Sequence, residues 1–447
     1  MPEIIDDPIA SDESGQRPRG PLEKFLRPFA DVRGGEGLGA LLLTVNVLLL
    51  LSAYYLLKTA REPLILTEGG AAVKAYSSAG QAALLILLIP LYSHFANHVN
   101  RLKLIVGLTL FFASHLLVFQ AFGLAGFRIG VVFYIWVGIF NVFVISQFWA
   151  FAADLYSEAQ GKRLFPVIGI GASLGALAGA EAASLLFKHF HFSAYALMGS
   201  AAGVLVICAA LVYEAHHLDI RRTEPETNLH AHDPIEGDNG FRLVFESRYL
   251  RLIALLIVLL NVVNSTGEFL LSSVVEQEAI RQFAGDKEAM KGFIGGFYGD
   301  FFAAVNFLGL LIQTFAVSRI FNYLGVRAAL FVLPCLALMS YSLMALAPIL
   351  AIVRGAKIVE NATDYSLQNT VRHALFLPTN RAQKYKAKAA IDTFFMRFGD
   401  VLQGGIVKMG NELTMGFSGF AWFNVAMTLV WLWVAGRLRA EHRRLGG

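Results

Sequence analysis

Stretches of about twenty apolar residues, the length at which a helix crosses a hydrocarbon core about 30 Å thick, recur along almost the whole of this 447-residue chain. They set the fold class before any motif is considered. Within lipid, every backbone N–H and C=O must find its partner inside its own helix or in a closed barrel. Alternating barrel strands of about ten residues are absent, so the spans are helices. The composition agrees: 56% of the residues are hydrophobic and 16% charged, far from the balance of a soluble globular domain. The expected class is an all-α integral membrane protein.

Twelve transmembrane helices are predicted, at 38–57, 73–95, 103–124, 128–153, 164–186, 193–214, 248–274, 291–318, 326–347, 348–370, 388–412 and 413–436. The polar stretch HHLDIRRTEPETNLHAHDPIEGDNGFR divides them six and six. The expected organisation is a tail at 1–37, a six-helix half at 38–214, a linker at 215–247, a second half at 248–436 and a tail at 437–447. The first tail mixes Asp6, Asp7, Asp12 and Glu13 with Gly and Pro and has no apolar core, which argues against a cleaved leader. HAHD in the linker is a solvated stretch rather than a metal site, and Cys208 and Cys335, inside apolar spans, are packing residues.

Loop charge gives the orientation. One set of alternate loops carries most of the cations, from Arg17 and Lys24 through Arg101, Lys162, Arg221, Arg319, Arg372, Lys384 and Lys386 to Arg444. The opposite set holds only Lys74, Arg128, Lys188, Arg281, Lys287 and Lys291. By the positive-inside rule both termini and the linker are cytoplasmic, in a bacterial-type inner membrane. The net charge of +4 is thus topological, and nucleic acid is not needed to explain it. The two halves echo each other faintly, with Asn46-Val47 preceding YYLL and Asn261-Val262 preceding EFLL at similar spacing. Two such halves fit a 6+6 major-facilitator-like pseudo-repeat whose cavity lies between them.

Several spans carry charges that lipid disfavours. An ionisable residue at the bilayer centre costs roughly 2.5 to 3.5 kcal/mol on insertion scales, so it should face protein, water or ligand. Arg354, Lys357, Asn361, Asp364 and Gln368 fall on one helical face, as do Asn261, Asn264, Ser265, Glu268 and Ser272. Asp154 joins Asn141 and Gln147 in the fourth span, Asp300 joins Asn306 and Gln313 in the eighth, and the eleventh has Lys388, Asp392, Arg397, Asp400 and Gln403. These faces would line one aqueous cavity; pairing between helices as structural glue or gating locks is the alternative for any one pair. GIGASLGALAG fits neither phosphate-loop spacing. Its Gly171, Gly175 and Gly179, four apart, give the small-residue face of close helix packing. With no H-E-x-x-H and no G-x-S-x-G, an enzyme is not expected, and neither is a metal or cofactor.

YYLLKTAREPLIL, residues 54–66, ends an apolar run in Lys58, Arg61, Glu62 and Pro63. Lys58 and Arg61, three apart on one helical face, would form a cationic fork. Glu62 would hold the fork or act in gating, and Pro63 would end the helix. The pattern Y-x-x-L-K-x-x-R-E-x-L-x-x-T resembles the end of the first membrane helix in the nucleotide transporters of plastids and intracellular bacteria, the ATP/ADP translocase family. FWAFAADLYSEAQGKRLFPVIGIGA, NVVNSTGEFLL with Glu268, GFYGDFF with Asp300 and DYSLQNTVRHALFLPTNRAQKYKAKAAID follow in the family's order.

The resemblance implies a twelve-helix nucleotide antiporter working by alternating access, whose Lys58–Arg61 fork would be presented to phosphate oxygens. Together with the charged faces it leads to substrate binding at Lys58, Arg61, Glu268, Arg354, Lys357, Lys388 and Arg397, and to gating or coupling at Glu62, Asp154, Asp300, Asp364, Asp392 and Asp400. The partners would be a nucleotide or another phosphorylated small molecule and the bilayer, with the chain a monomer. Lys388 is expected to matter more than Lys384 and Lys386, which anchor topology. Three departures stand out: a family glutamate falls on Val137, and two family lysines fall on Asp364 and Asp400. Two readings stay open beside exchange: a proton-coupled carrier of another small anion, with Asp154, Glu268 or Asp364 carrying the proton, and a membrane sensor or scaffold that binds without transport.

Overall fold

A computed structural model describes residues 32–33, 36–96, 99–156, 158–220, 240–283, 285–380 and 383–445. Leu-, Ala- and Phe-rich runs without charged interruption leave the backbone no partner but itself, and among the described residues there is helix and no strand. The first six rods are α1 Gly37–Glu68, α2 Gly70–Ala96, α3 Arg101–Leu124, α4 Gly130–Leu155, α5 Glu158–Lys188 and α6 Ala194–Ile220. After a short helix at Gly240–Glu246 come α7 Arg248–Phe283, α8 Lys287–Ala329 and α9 Val332–Leu346. Then α10 (350–374) contains a π turn at Asp364–Gln368, α11 (383–412) contains two, at Gln383–Ala387 and Ile391–Phe395, and α12 is Phe417–Arg444.

Eleven of the twelve predicted spans each fall on one of these rods, and the ninth, 326–347, takes in α9 and the end of α8 beyond its break at Gly325. Nine helices among the described residues are long and apolar enough to cross a membrane. The remaining predicted spans coincide with the shorter α9 and with α10 and α11, which π turns interrupt. Three expectations need correction. Pro63 does not end α1, which continues to Glu68; a membrane helix tolerates the single hydrogen bond that proline removes. The last helix runs to Arg444 instead of stopping near 436. Cys208 is buried, but Cys335 is exposed on α9 and so is not the buried packing residue expected. Most of the predicted first tail and of the linker, with its HAHD, lies outside the described residues.

Packing repeats with a shift of six helices. α1 packs on α5 and α6, α2 on α4 and α3 on α6; α7 packs on α11 and α12, α8 on α10 and α9 on α12. Between the two groups, α5 packs on α8 and α11 on α2, which obeys the same shift. In lipid the helices gain nothing from hydrophobic association, so close backbone approach has to hold them. A Cβ on Gly171, Gly175 or Gly179 would come within 2.5, 2.2 and 2.5 Å of the carbonyl oxygens of Thr44, Leu48 and Ser52. The glycine stripe therefore seats α5 on α1, and Ser52 Oγ donates to the Gly175 carbonyl at 3.1 Å.

The side-chain contacts joining the groups cluster toward the end of the bundle that holds Gly69. Lys188 pairs with Asp300 there, and Ser184 Oγ donates to the same carboxylate. Ala71 N–H donates to Glu276 at 2.8 Å, and Asn411 Nδ2 donates to the Tyr76 hydroxyl at 3.3 Å. On α8, Gly295, Gly296 and Gly299 meet Phe187, Lys188 and Ser184 so closely that a Cβ would clash.

Candidate functional site

Beneath that seal, α1, α2 and α4 of one group and α7, α8, α10 and α11 of the other enclose a cavity of about 520 Å³. Its wall carries Lys58, Arg61, Lys74, Arg372 and Arg397 against Glu62, Glu268, Asp364 and Asp400. Uncharged donors and acceptors fill the gaps, among them Gln81, Asn141, Asn264, Ser265, Asn361 and Gln403. The arrangement is built to hold a charged solute away from lipid.

The cationic fork of α1 is splayed. Arg61 Nε donates to Glu62 Oε1 at 3.1 Å, and its guanidinium lies over the Tyr134 ring of α4, 4.4 Å from the centroid. Lys58 Nζ sits instead among aromatic faces, 4.2 Å from the Phe302 centroid and 5.0 Å from that of Tyr55, with Tyr365 at 5.8 Å. Such faces attract an ammonium through the ring quadrupole but leave its three N–H donors without acceptors. Among the described residues, Lys58 has no hydrogen bond and no carboxylate at ion-pair distance, with Glu268 and Glu62 acting on it from farther off. Glu62 is buried and serves two cations, since Lys74 Nζ stands 2.6 Å from its Oε2.

Across the cavity the carboxylates are held by α7. Glu268 accepts from Asn361 Nδ2 at 2.8 Å, and Ser265 Oγ donates to Asp400 at 2.8 Å. Arg397 lies 3.6 Å from Asp400. Asp364 meets the Asn264 amide at 3.5 Å. Behind the wall, Lys357 is fully buried; its Nζ donates to Asn264 Oδ1 at 2.7 Å and lies 3.6 Å from Glu268 and 3.3 Å from Glu360. Tyr341 OH donates to Glu360 at 2.7 Å.

Of the residues singled out from sequence, the structure brings Lys58, Arg61, Glu62, Glu268, Asp364, Arg397 and Asp400 to one cavity. Lys357 supports the wall from behind. Arg354 and Asp300 face each other at 3.6 Å on the sealed side, next to Lys188. Lys388 and Asp392 pair at 2.7 Å off the cavity, with Arg372 3.7 Å from Asp392. Asp154 lies outside the lining, and Val137 is buried in apolar core beside the lining residues Tyr134, Gly138 and Asn141.

Sequence reasoning missed Lys74, Arg372 and the tyrosines. Lys74 counts as a loop cation by hydropathy, yet α2 starts at Gly70, whose φ of 78° makes the junction with α1 a sharp turn with no loop. The Gly69-Gly70 pair was the available signal. Arg372, also counted with the loops, lies on α10 just beyond its π turn. Tyr134 and Tyr365 carried no signal that separates a lining aromatic from a packing one.

Comparison with known proteins places this geometry in a wider set. Among solved structures, the nucleoside transporter NupG superposes with a TM-score of 0.64 at 13% identity, covering 89% of this chain and 98% of its own. A bacterial homologue of the iron transporter ferroportin, in an inward-facing state, gives 0.64 at 14% identity over 90% and 98%. At these identities the likeness is one of fold, a major-facilitator-like helical bundle. ADP,ATP carrier protein 1 of Chlamydia muridarum is 23% identical over 67% of this chain, and that of Chlamydia trachomatis is 23% identical over 69%. The matches span 62% and 64% of the length of those relatives. The sequence pattern of the TLC ATP/ADP transporter matches residues 126–442, from the start of α4 through α12 and therefore through most of the cavity wall. The chain belongs to the TLC ATP/ADP transporter family.

Proposed function

We propose that the chain is a membrane carrier that exchanges nucleotides or related phosphorylated anions by alternating access. The observation that carries this reading is a polar cavity walled by helices of both groups and lined by Arg61, which shares Glu62 with Lys74, and by Lys58, whose ammonium makes no hydrogen bond among the described residues. A planar guanidinium and a nearby ammonium suit phosphate oxygens. The name ADP,ATP carrier borne by the chlamydial relatives supports the same substrate class. The seal at the Gly69 end and the reach of the cavity toward Arg372 fit one state of a rocking cycle. By the cation bias of the loops, that seal faces outward, both termini and the linker are cytoplasmic, and the carrier works as a monomer in a bacterial-type inner membrane.

A second reading, proton-coupled uptake of another small anion, draws on one feature. Lys357 stands between two carboxylates, Glu268 and Glu360, so that one cation serves two acids beside the cavity. Counter-exchange in proteoliposomes separates the readings. Release of labelled nucleotide by external nucleotide supports exchange. Uptake driven by a pH gradient without counter-substrate supports proton coupling, and binding without flux would leave a sensor.

A further inference from the structure

We propose that Lys74 couples the cavity to the seal: it ties α2 to α7 and α8 in the unloaded carrier, and a bound anion releases it by accepting its hydrogen bonds. The inference rests on the exchange reading for the identity of the anion, and on the geometry of one side chain for the lock. Lys74 lines the cavity one turn into α2, and its Nζ stands 2.6 Å from Glu62 Oε2 within its own group. The same ammonium also crosses to the other group. It donates to Ser272 Oγ on α7 at 2.8 Å and to the Tyr298 hydroxyl on α8 at 3.5 Å.

All three side chains are buried, and Ser272 and Tyr298, joined to each other at 2.9 Å, lie outside the cavity lining. Lys74 therefore reaches from the cavity surface into the inner layer of the seal, one turn from the contact of Ala71 with Glu276. An ammonium has three donors and accepts nothing. Here Glu62 answers it from the first group, while Ser272 and Tyr298 answer it from the second, as does Glu268 from farther off. Separating α2 from α7 and α8 takes away every partner except Glu62. A hydrogen bond to a charged group outweighs its replacement by water, so the unloaded carrier favours the seal.

A bound anion changes that balance because of where Glu62 stands. Its Oε1 takes Arg61 and its Oε2 takes Lys74, so an anion held by Arg61 lies beside Lys74. A ligand shifts a conformational equilibrium only through a contact it makes better in one state than in the other. In the sealed state the donors of Lys74 are taken by the two hydroxyls. Once α2 parts they are free, and anionic oxygens accept them in charge-assisted bonds stronger than those to a neutral hydroxyl or water. The loaded carrier can thus open at the Gly69 end and the unloaded one is held shut, which makes transport an exchange in preference to one-way release.

The test uses two variants of the full chain. Lys74→Gln removes the ammonium; Ser272→Ala with Tyr298→Phe removes only its acceptors on the second group and leaves Lys74 on Glu62. The first measurement is release of labelled ADP from proteoliposomes. One hydrogen bond to a charged group shifts an equilibrium by about tenfold or more, so the unmodified chain should release ADP at least that much more slowly without external ADP than with it. In both variants the difference should shrink to about threefold or less. The second measurement is the distance between spin labels at Arg128 and Lys287, exposed positions at the Gly69 end of the two groups, with Cys335→Ser. Without ADP, the unmodified chain should show one short distance and both variants an added longer one. Variants that keep the short distance and the full dependence on external ADP overturn the proposal. So does an unmodified chain that releases ADP equally with and without external ADP, which leaves ADP transport intact. If ADP is not moved at all, the exchange reading falls; a longer distance in both variants then still upholds the lock, and its absence sinks that too.

Discussion

Arg61 and Lys357 are both cations inside the bundle, yet their loss should be felt in different measurements. Arg61 keeps part of its guanidinium on the cavity while Glu62 and Tyr134 hold the rest. In Arg61→Ala a bound phosphate would lose a charge-assisted bond worth roughly 1.5 to 3 kcal/mol, so affinity should fall about ten- to a hundredfold. Glu62 still has Lys74, so thermal stability should change little. Unchanged affinity and exchange rate would make Arg61 a strut of the helix end. Lys357 touches no cavity surface and anchors Asn264, Glu268 and Glu360 together. In Lys357→Met two carboxylates would lose their only shared cation, which costs about 3 to 5 kcal/mol when a buried pair is broken. Its unfolding temperature in detergent should drop well below that of Glu360→Gln, which keeps Lys357 paired with Glu268. Equal temperatures for both variants would mean that the cluster does not hold the wall. The sequence revealed these residues unevenly. Lys58, Arg61 and Glu62 were legible because charge interrupts an apolar run. The destination of Asp300 was not, because only the packing of α8 against α5 shows that it faces Lys188.

The elements were legible through length and hydropathy, but their faces were not wherever the helical period changes. Extrapolating 3.6 residues per turn puts Arg354, Lys357, Asn361, Asp364 and Gln368 on one face of α10. A π turn spends an extra residue, about 100° of rotation. Asn361, Asp364 and Gln368 do line the cavity, with Tyr365, Asn369 and Arg372 at and beyond the π turn at Asp364–Gln368 beside them, while Arg354, a helix end away, meets Asp300. In α11 the π turn at Ile391–Phe395 likewise separates Lys388 and Asp392 from Arg397, Asp400 and Gln403. The glycine stripe of α5 is the opposite case, a regular four-residue period read correctly because nothing interrupts it. Its role can be measured. A side chain at position 175 would meet the Leu48 carbonyl oxygen and Cα at 2.2 and 2.7 Å, and backbone atoms cannot step aside. Gly175→Val should therefore abolish monodisperse protein on size-exclusion chromatography. Gly203→Ala, where a Cβ meets nothing within 4 Å, should behave as the unmodified chain. A monodisperse Gly175→Val would show that α1 and α5 can part without loss of the fold.

At the scale of the whole molecule, the six-helix shift in packing implies two bodies that can rock, and the seal at the Gly69 end is where rocking has to break contacts. Its polar contacts include Lys188 and Ser184 on Asp300, Ala71 on Glu276, Lys74 on Ser272 and Asn411 on Tyr76, set beside buried apolar residues such as Ile65, Leu66, Val275 and Ile294. The exposed or half-exposed pairs among them, Lys188–Asp300 and Asn411–Tyr76, are worth little individually. The glycines of α8 permit close approach without interlocking side chains. Exchange then depends on separating α2 from α11 at this end, and the Tyr76 and Asn411 positions, joined by a 3.3 Å hydrogen bond, are a place to prevent it. With exposed Cys335 replaced by serine and buried Cys208 left in place, Tyr76→Cys and Asn411→Cys can be bridged by a short bis-maleimide. Bridging should stop nucleotide exchange in proteoliposomes almost completely, while a cleavable bridge should restore it on reduction. Binding to the bridged protein should persist, because the cavity lies beneath the seal and its lining includes neither Tyr76 nor Asn411. Full exchange by a quantitatively bridged sample would show that α2 and α11 never part at this end, and the rocking cycle proposed for these two bodies would be wrong.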